Sequence, residues 1–149
     1  MENNTYKVYA KTDENGVITA VNSSAFLSDT TGWTEIDEGS GDRFHHAQGN
    51  YLPDGLIDER GLYNYKLVEG APVPRTDADK QPEVDKLNAA AEIAKLKAQL
   101  AATDYITAKL AEVVDDEEKY AATKEEYAEE LAHRAYWRSR INELEARYG

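Results

Sequence analysis

Between Tyr6 and Leu67 the apolar residues come in short runs that alternate with polar ones, and beyond Pro82 they recur every three or four positions. The first spacing is that of strands with one buried face, the second that of helices. Tyr6-Lys7-Val8-Tyr9-Ala10-Lys11 and Val17-Ile18-Thr19-Ala20-Val21 flank Asp13-Glu14-Asn15-Gly16. An Asn-Gly pair tolerates positive φ at both positions, so these runs predict a β-hairpin. Trp33-Thr34-Glu35-Ile36-Asp37 predicts a third strand. Leu56-Ile57 and Leu62 to Leu67 flank Asp58-Glu59-Arg60-Gly61, a second turn of the form Asp-Glu-x-Gly. Such a repeat reflects either a duplicated hairpin or good turn chemistry used twice.

The carboxy-terminal part has no Pro after Pro82 and no Gly before Gly149, and it is rich in Ala, Leu, Glu, Lys and Arg. These residues cost little to place in a helix. Ala89, Ile93, Leu96 and Leu100 follow a 4-3-4 spacing, a short heptad seam with Ala90, Ala91 and Ala94 beside it. Thr103-Asp104 either caps a second helix running to Val114 or continues the first. Asp115 to Glu118 has the form of a capping box, and a last helix of about 30 residues is expected to follow, some 45–50 Å long at 1.5 Å per residue. Arg134, Arg138, Arg140 and Arg147 lie in its second half, where positive charge suits the helix dipole, and Glu130–Arg134 and Glu143–Arg147 form i,i+4 pairs. Its stripe of Tyr120, Tyr127, Leu131, Trp137, Ile141, Leu144 and Tyr148 shifts phase between Leu131 and Trp137. One straight partner does not cover such a stripe. Helices 83–101 and 104–114 are therefore expected to fold back on the last as a hairpin, with neighbouring chains adding to the coverage. Ile93, Leu96, Leu100, Leu131, Trp137, Ile141 and Leu144 are expected to carry helix packing and assembly.

The predicted class is α+β. A small antiparallel β module occupies residues 1–70, a Pro- and charge-rich linker residues 71–82, and a helical hairpin or coiled coil residues 83–149. The β module has few large aliphatics, so it is expected to pack on a partner, another copy or the helices.

Charge and composition narrow the function. The net charge is −12, with acidic residues in excess on both sides of residue 75. No basic face is available for nucleic acid or an anionic membrane, which leaves proteins as expected partners. With no cysteine there is no disulfide framework and no thiolate chemistry. The opening MENNTYKVYAK has no apolar run of a leader, and no stretch approaches the roughly 20 apolar residues of a membrane span. Synthesis and assembly in the cytoplasm are expected. Ser23-Ser24 lacks a nucleophile-elbow context, and Gly39-Ser40-Gly41-Asp42 lacks the Lys-Ser/Thr of a phosphate loop. No enzyme, cofactor or catalytic residue is predicted.

His45-His46 is the one place for metal chemistry. On a strand, adjacent side chains point to opposite faces, so one chain offers a single imidazole, and no metal site is predicted outside a symmetric trimer with an axial ion. Tyr6, Tyr9, Phe44, Tyr51, Tyr63 and Tyr65 form either a recognition face or the aromatic cover of a thin sheet.

Two stretches carry a resemblance. YKVYAKTDENGVITAVNSSAFLSDTTGWTEIDEG followed by GDRFHHAQGNYL resembles small tail-associated proteins of phages and prophages of Gram-positive bacteria. The carboxy-terminal part resembles their helical ending through Thr103-Asp104-Tyr105, Lys109, Glu112, Asp115 to Glu118, Trp137-Arg138, Ile141-Asn142 and Leu144-Glu145. The acidic stretch from Lys124 to Glu130 is longer than in that pattern. The resemblance implies a tail-fibre or baseplate component, or a fibre-assembly protein. It places the chain in the virion tail, with copies of itself (a trimer, within a fibre) and other tail or fibre proteins as partners. It carries over no catalytic residue.

Overall fold

The computed structural model describes residues 4–149; Met1–Asn3, the start of the stretch read as lacking a leader, lie outside the described residues. The chain is α+β and divides into two compact units, Met1–Gln81 and Pro82–Gly149.

In the first unit, β1 (Tyr6–Thr12) is the middle strand of an antiparallel sheet ordered β2-β1-β3, with β2 at Ile18–Ser23 and β3 at Thr34–Gly39. Alternation turns Val8 and Ala10 inward, where both are fully buried. Ile18 and Val21 are three residues apart and would face opposite ways on a regular strand. The pairing skips Thr19 between Lys11↔Ala20 and Thr12↔Ile18, and this bulge lets both enter the core. A second skip passes over Ile36, which packs against the same core while Asp37 stands opposite Val8.

Two single helical turns follow, α1 (Asp42–His45) and α2 (Ala47–Asn50), and they set Ala47 and Tyr51 into the core. Gly39 admits them, since a Cβ there would meet the Phe44 ring at 2.6 Å. Strands β4 (Tyr65–Val68) and β5 (Ala71–Pro74) make a separate antiparallel pair.

The two Asp-Glu-x-Gly turns are built alike. Asp13 Oδ1 accepts from the amides of Asn15 and Val17, and Asp58 Oδ1 from those of Arg60 and Leu62. Each is closed by a glycine at positive φ, 81° at Gly16 and 82° at Gly61.

Residues 71–82, expected as a linker, carry regular structure: β5 and the opening of α3 (Asp77–Glu112). Pro72 and Pro74 occupy alternate positions of an edge strand, and the Arg75 amide, in the opposite phase, donates to Asn64 O at 2.8 Å. Thr76 and Asp79 then start the helix reciprocally. The Asp79 amide donates to Thr76 Oγ1 and the Thr76 amide to Asp79 Oδ2.

In the second unit α3 runs unbroken through Thr103-Asp104, so that pair continues the first helix. The expected 30-residue final helix is two, α4 (Glu117–Glu126) and α5 (Ala128–Tyr148), divided at Tyr127 with φ −107° and ψ 20°. Its N-cap is Asp116, one residue later than expected, accepting from the Lys119 amide at 3.1 Å. Helices α3 and α5 pack antiparallel through Ala89, Leu96, Ile141 and Leu144, flanked by Ile93, Leu100, Trp137 and Tyr148. No helix among the described residues is long and apolar enough to cross a membrane.

Candidate functional site

The first unit holds a concavity of about 370 Å³ lined by Tyr51, Leu52, Pro53, Tyr65, Pro72 and Pro74, with Arg43 and Asp54 as its charged members. Its shape follows from the elements just described. Residues 51–54 leave the helical turns, Tyr65 opens β4, and the prolines project from the edge strand.

Both phenols are nine-tenths buried or more and spend their hydroxyls inside the unit. Tyr51 donates to Asp37 Oδ2 at 2.7 Å; burial, then the Asp37 carboxylate, pushes its pKa up to about 12. Tyr65 donates to Asp54 Oδ2 at 3.0 Å, and burial raises its pKa as well. Arg43 donates from Nε and Nη2 to Tyr51 O at 3.3 and 3.2 Å, with its guanidinium 4.4 Å from the Tyr51 ring centre. A ligand therefore meets mainly proline surface, edged by the tyrosines, with one charge of each sign at the rim. That combination suits a sugar face or a short apolar side chain.

The six aromatics considered as a recognition face are not gathered on one. Tyr51 and Tyr65 are core residues, and Phe44 packs edge-on to Tyr51 at 6.0 Å. Tyr6 lies against His45 at 4.7 Å. Tyr9, one strand position out of phase with Val8 and Ala10, is on the other side of the sheet. Tyr63 is half-buried and gives its carbonyl to Arg75 Nη1. Only Tyr51 and Tyr65 of the six line the groove.

The unit is closed by a buried ion pair that sequence reading missed. Lys80 Nζ donates to Asp58 Oδ2 and Asn64 Oδ1, both at 2.8 Å, and Lys80 is 8% exposed. The lysine hydrogen bond, foremost, holds the Asp58 carboxyl well below the usual carboxylate range. Beside it, the Thr76 amide and then Lys66 Nζ hold Asp79 at about 2. Both folded values lie beneath the unfolded value of about 3.9, so this stabilisation is complete above pH 4 and is lost as pH falls through the folded values. Trp33 fluorescence in a Trp137→Phe background should show the urea midpoint of the first unit falling between pH 4 and 2. In Asp79→Asn the fall should be visibly shallower.

In the second unit the residues expected to carry packing come together, with one exception. Ile93, Leu96 and Leu100 meet Trp137, Ile141 and Leu144 within the chain's own hairpin, whereas Leu131 is half-buried outside that cluster. Arg134, expected to pair with Glu130 along its own helix, is 5% exposed and turned to α3 instead. Its Nη1 donates to Leu100 O at 2.8 Å and Thr103 Oγ1 at 2.6 Å, and Nη2 to Asp104 Oδ1 at 2.9 Å. Thr103 Oγ1 in turn donates to Gln99 O. The Thr-Asp pair in α3 is thus the dock for an arginine of α5. Arg140 bridges the same helices through Glu92 at 3.0 and 3.2 Å, and Lys109 Nζ reaches the Tyr127 hydroxyl at 2.9 Å.

Asp42 and His45 are helical and His46 is the turn residue between α1 and α2, so the strand argument that separated the two imidazoles does not hold. The ligand-type atoms of all three lie within 4.8 Å of one another. No known protein family, curated protein or solved structure matches the chain.

Proposed function

We propose that the chain is a non-enzymatic structural component of a phage tail, in a tail fibre or baseplate. It is assembled in the host cytoplasm, retained in the virion and works in assembly and host adsorption through protein–protein contacts. The resemblance of both ends of the sequence to tail-associated proteins supports this reading, as does the acidic balance, which disfavours nucleic acid and anionic membrane as partners. One observation carries it furthest. The hairpin fills its seam with its own residues and still leaves Leu87, Tyr105, Val114 and Tyr136 44–64% exposed on the helical unit. Exposed aromatic and aliphatic side chains of this kind supply contacts with other chains where a partner gathers them into one interface.

The partners are copies of itself, a trimer within a fibre, and other tail or fibre proteins. Mass spectrometry of purified virions should find the chain at a stoichiometry matching the fibre or baseplate. Its presence in infected cells but not in virions would instead identify a fibre-assembly chaperone. In solution a trimer mass is expected, and a monomer at high concentration would remove the self-association part.

A second reading has its own observation. The proline- and tyrosine-lined groove with Arg43 and Asp54 at its rim favours a receptor- or carbohydrate-binding tip. Glycan-array binding that disappears in Arg43→Ala would establish it.

A further inference from the structure

Gly41, at φ 97°, turns the chain out of β3 into the α1 turn, and the Asp42 carbonyl accepts the His46 amide at 2.8 Å. This helical turn stacks positions 42 and 46 on one side and brings position 45 beside them. The His45 and His46 rings stand nearly perpendicular, 82° apart with centres 4.2 Å apart, and their Nδ1 atoms face each other at 3.3 Å. His46 Nδ1 also lies 2.6 Å from Asp42 Oδ1, and the second carboxylate oxygen accepts from Asn50 Nδ2 at 2.8 Å. Phe26 covers both imidazoles, 5.3 Å from His45 and 5.5 Å from His46, and Tyr6 flanks His45.

One hydrogen on His46 Nδ1 serves either Asp42 or His45, not both. A neutral imidazole Nδ1 carries either one hydrogen or one lone pair. If the His46 hydrogen goes to Asp42, nothing on His46 remains to bond His45 Nδ1. If His46 instead accepts from His45, two lone-pair atoms face each other across 2.6 Å. A cation satisfies all three atoms at once. At metal–ligand distances of about 2.0–2.1 Å, tetrahedral ligand atoms sit about 3.3 Å apart, which is the separation of the two nitrogens. The His46–Asp42 pair is closer than that spacing and the whole set lies within 4.8 Å, so binding requires the Asp42 carboxylate to swing toward His45, which its 72% exposed side chain allows.

We propose that Asp42, His45 and His46 bind one divalent transition-metal ion of the zinc class. The ligands are Asp42 Oδ1 and the two Nδ1 atoms, and water completes the tetrahedron. Two imidazoles and a carboxylate select zinc, cobalt, nickel or copper over calcium and magnesium, which prefer all-oxygen shells. Asn50 orients the carboxylate from behind, as outer partners do in metal sites. This site is independent of the role proposed for the chain in a tail.

The test is calorimetric titration of the full chain with zinc chloride, repeated with cobalt to read tetrahedral d–d absorption. One equivalent should bind, survive millimolar magnesium, and weaken at least tenfold in His45→Gln, His46→Gln and Asp42→Asn, with circular dichroism confirming that each variant is folded. His133→Gln, on the other unit, should bind like the parent chain. Binding that is unchanged in the two histidine variants, or that magnesium abolishes, would assign it to scattered carboxylates and overturn the site. So would the absence of any zinc-dependent shift of the His45 and His46 ring signals in NMR spectra.

Discussion

Arg134→Ala should destabilise the helical unit by about 3 kcal/mol, the scale expected when one member of a buried charged network is removed. Two effects add. The Leu100 carbonyl and Thr103 hydroxyl lose a charged donor, and the hairpin loses the aliphatic stem beneath them. Asp104 contributes little, because its side chain is 65% exposed and returns to water. Lysine is a poor replacement, since a single ammonium does not span a carbonyl, a hydroxyl and a carboxylate in the guanidinium plane. Arg140→Ala, which removes a more exposed bridge to Glu92, should cost much less. Urea unfolding followed by Trp137 fluorescence in a Trp33→Phe background measures both. Equal losses would show that the hairpin draws nothing special from burying Arg134.

Lys80→Met should cost the first unit about 2 kcal/mol, below the 3–5 kcal/mol typical of a broken buried pair. The reduction has a specific source: Arg60 Nη2 stays 3.1 Å from the same Asp58 oxygen and keeps part of the compensation. Arg60→Ala/Lys80→Met should therefore lose more than the two single variants summed. The Asp13 turn supplies an internal control. It has the same amide-capping geometry as the Asp58 turn and no lysine against it, so Asp13→Asn should perturb the unit less than Asp58→Asn. Trp33 fluorescence reports on this unit, and additivity of the Arg60 and Lys80 variants would mean that the two cations do not share the carboxylate.

The legible parts of the fold are those written in short-range pattern. Alternation located β1, β2 and β3, and the two Asp-Glu-x-Gly motifs are turns of one geometry. Helical spacing marked the two sides of the hairpin seam, from Ile93 to Leu100 and from Trp137 to Leu144. What sequence missed depends on register and tertiary partners. Neither bulge has a local signature, because Thr19 and Ile36 are set aside only by how neighbouring strands align. Residues 71–82 suggest a linker because a Pro- and charge-rich segment buries no core of its own, yet an edge strand admits proline at every second position. The Thr76-x-x-Asp79 spacing was a usable signal of the helix start. Arg134 could not be separated from Arg138 or Arg147 without knowing that it falls opposite Leu100. For the histidine pair only the premise of an extended backbone fails, and Gly39 and Gly41 ahead of Asp42 already point to a change of direction.

The Lys80 contact has a consequence for the order in which the chain can take shape as it is made. Every strand of the first unit has been synthesised by Pro74, but the cation for Asp58 comes six residues later, after β5 and the Thr76 cap. A nascent polypeptide paused before that point leaves Asp58 with Arg60 as its one cationic partner among the described residues. The β unit therefore gains its full stability only once the first turn of the following helix has been synthesised.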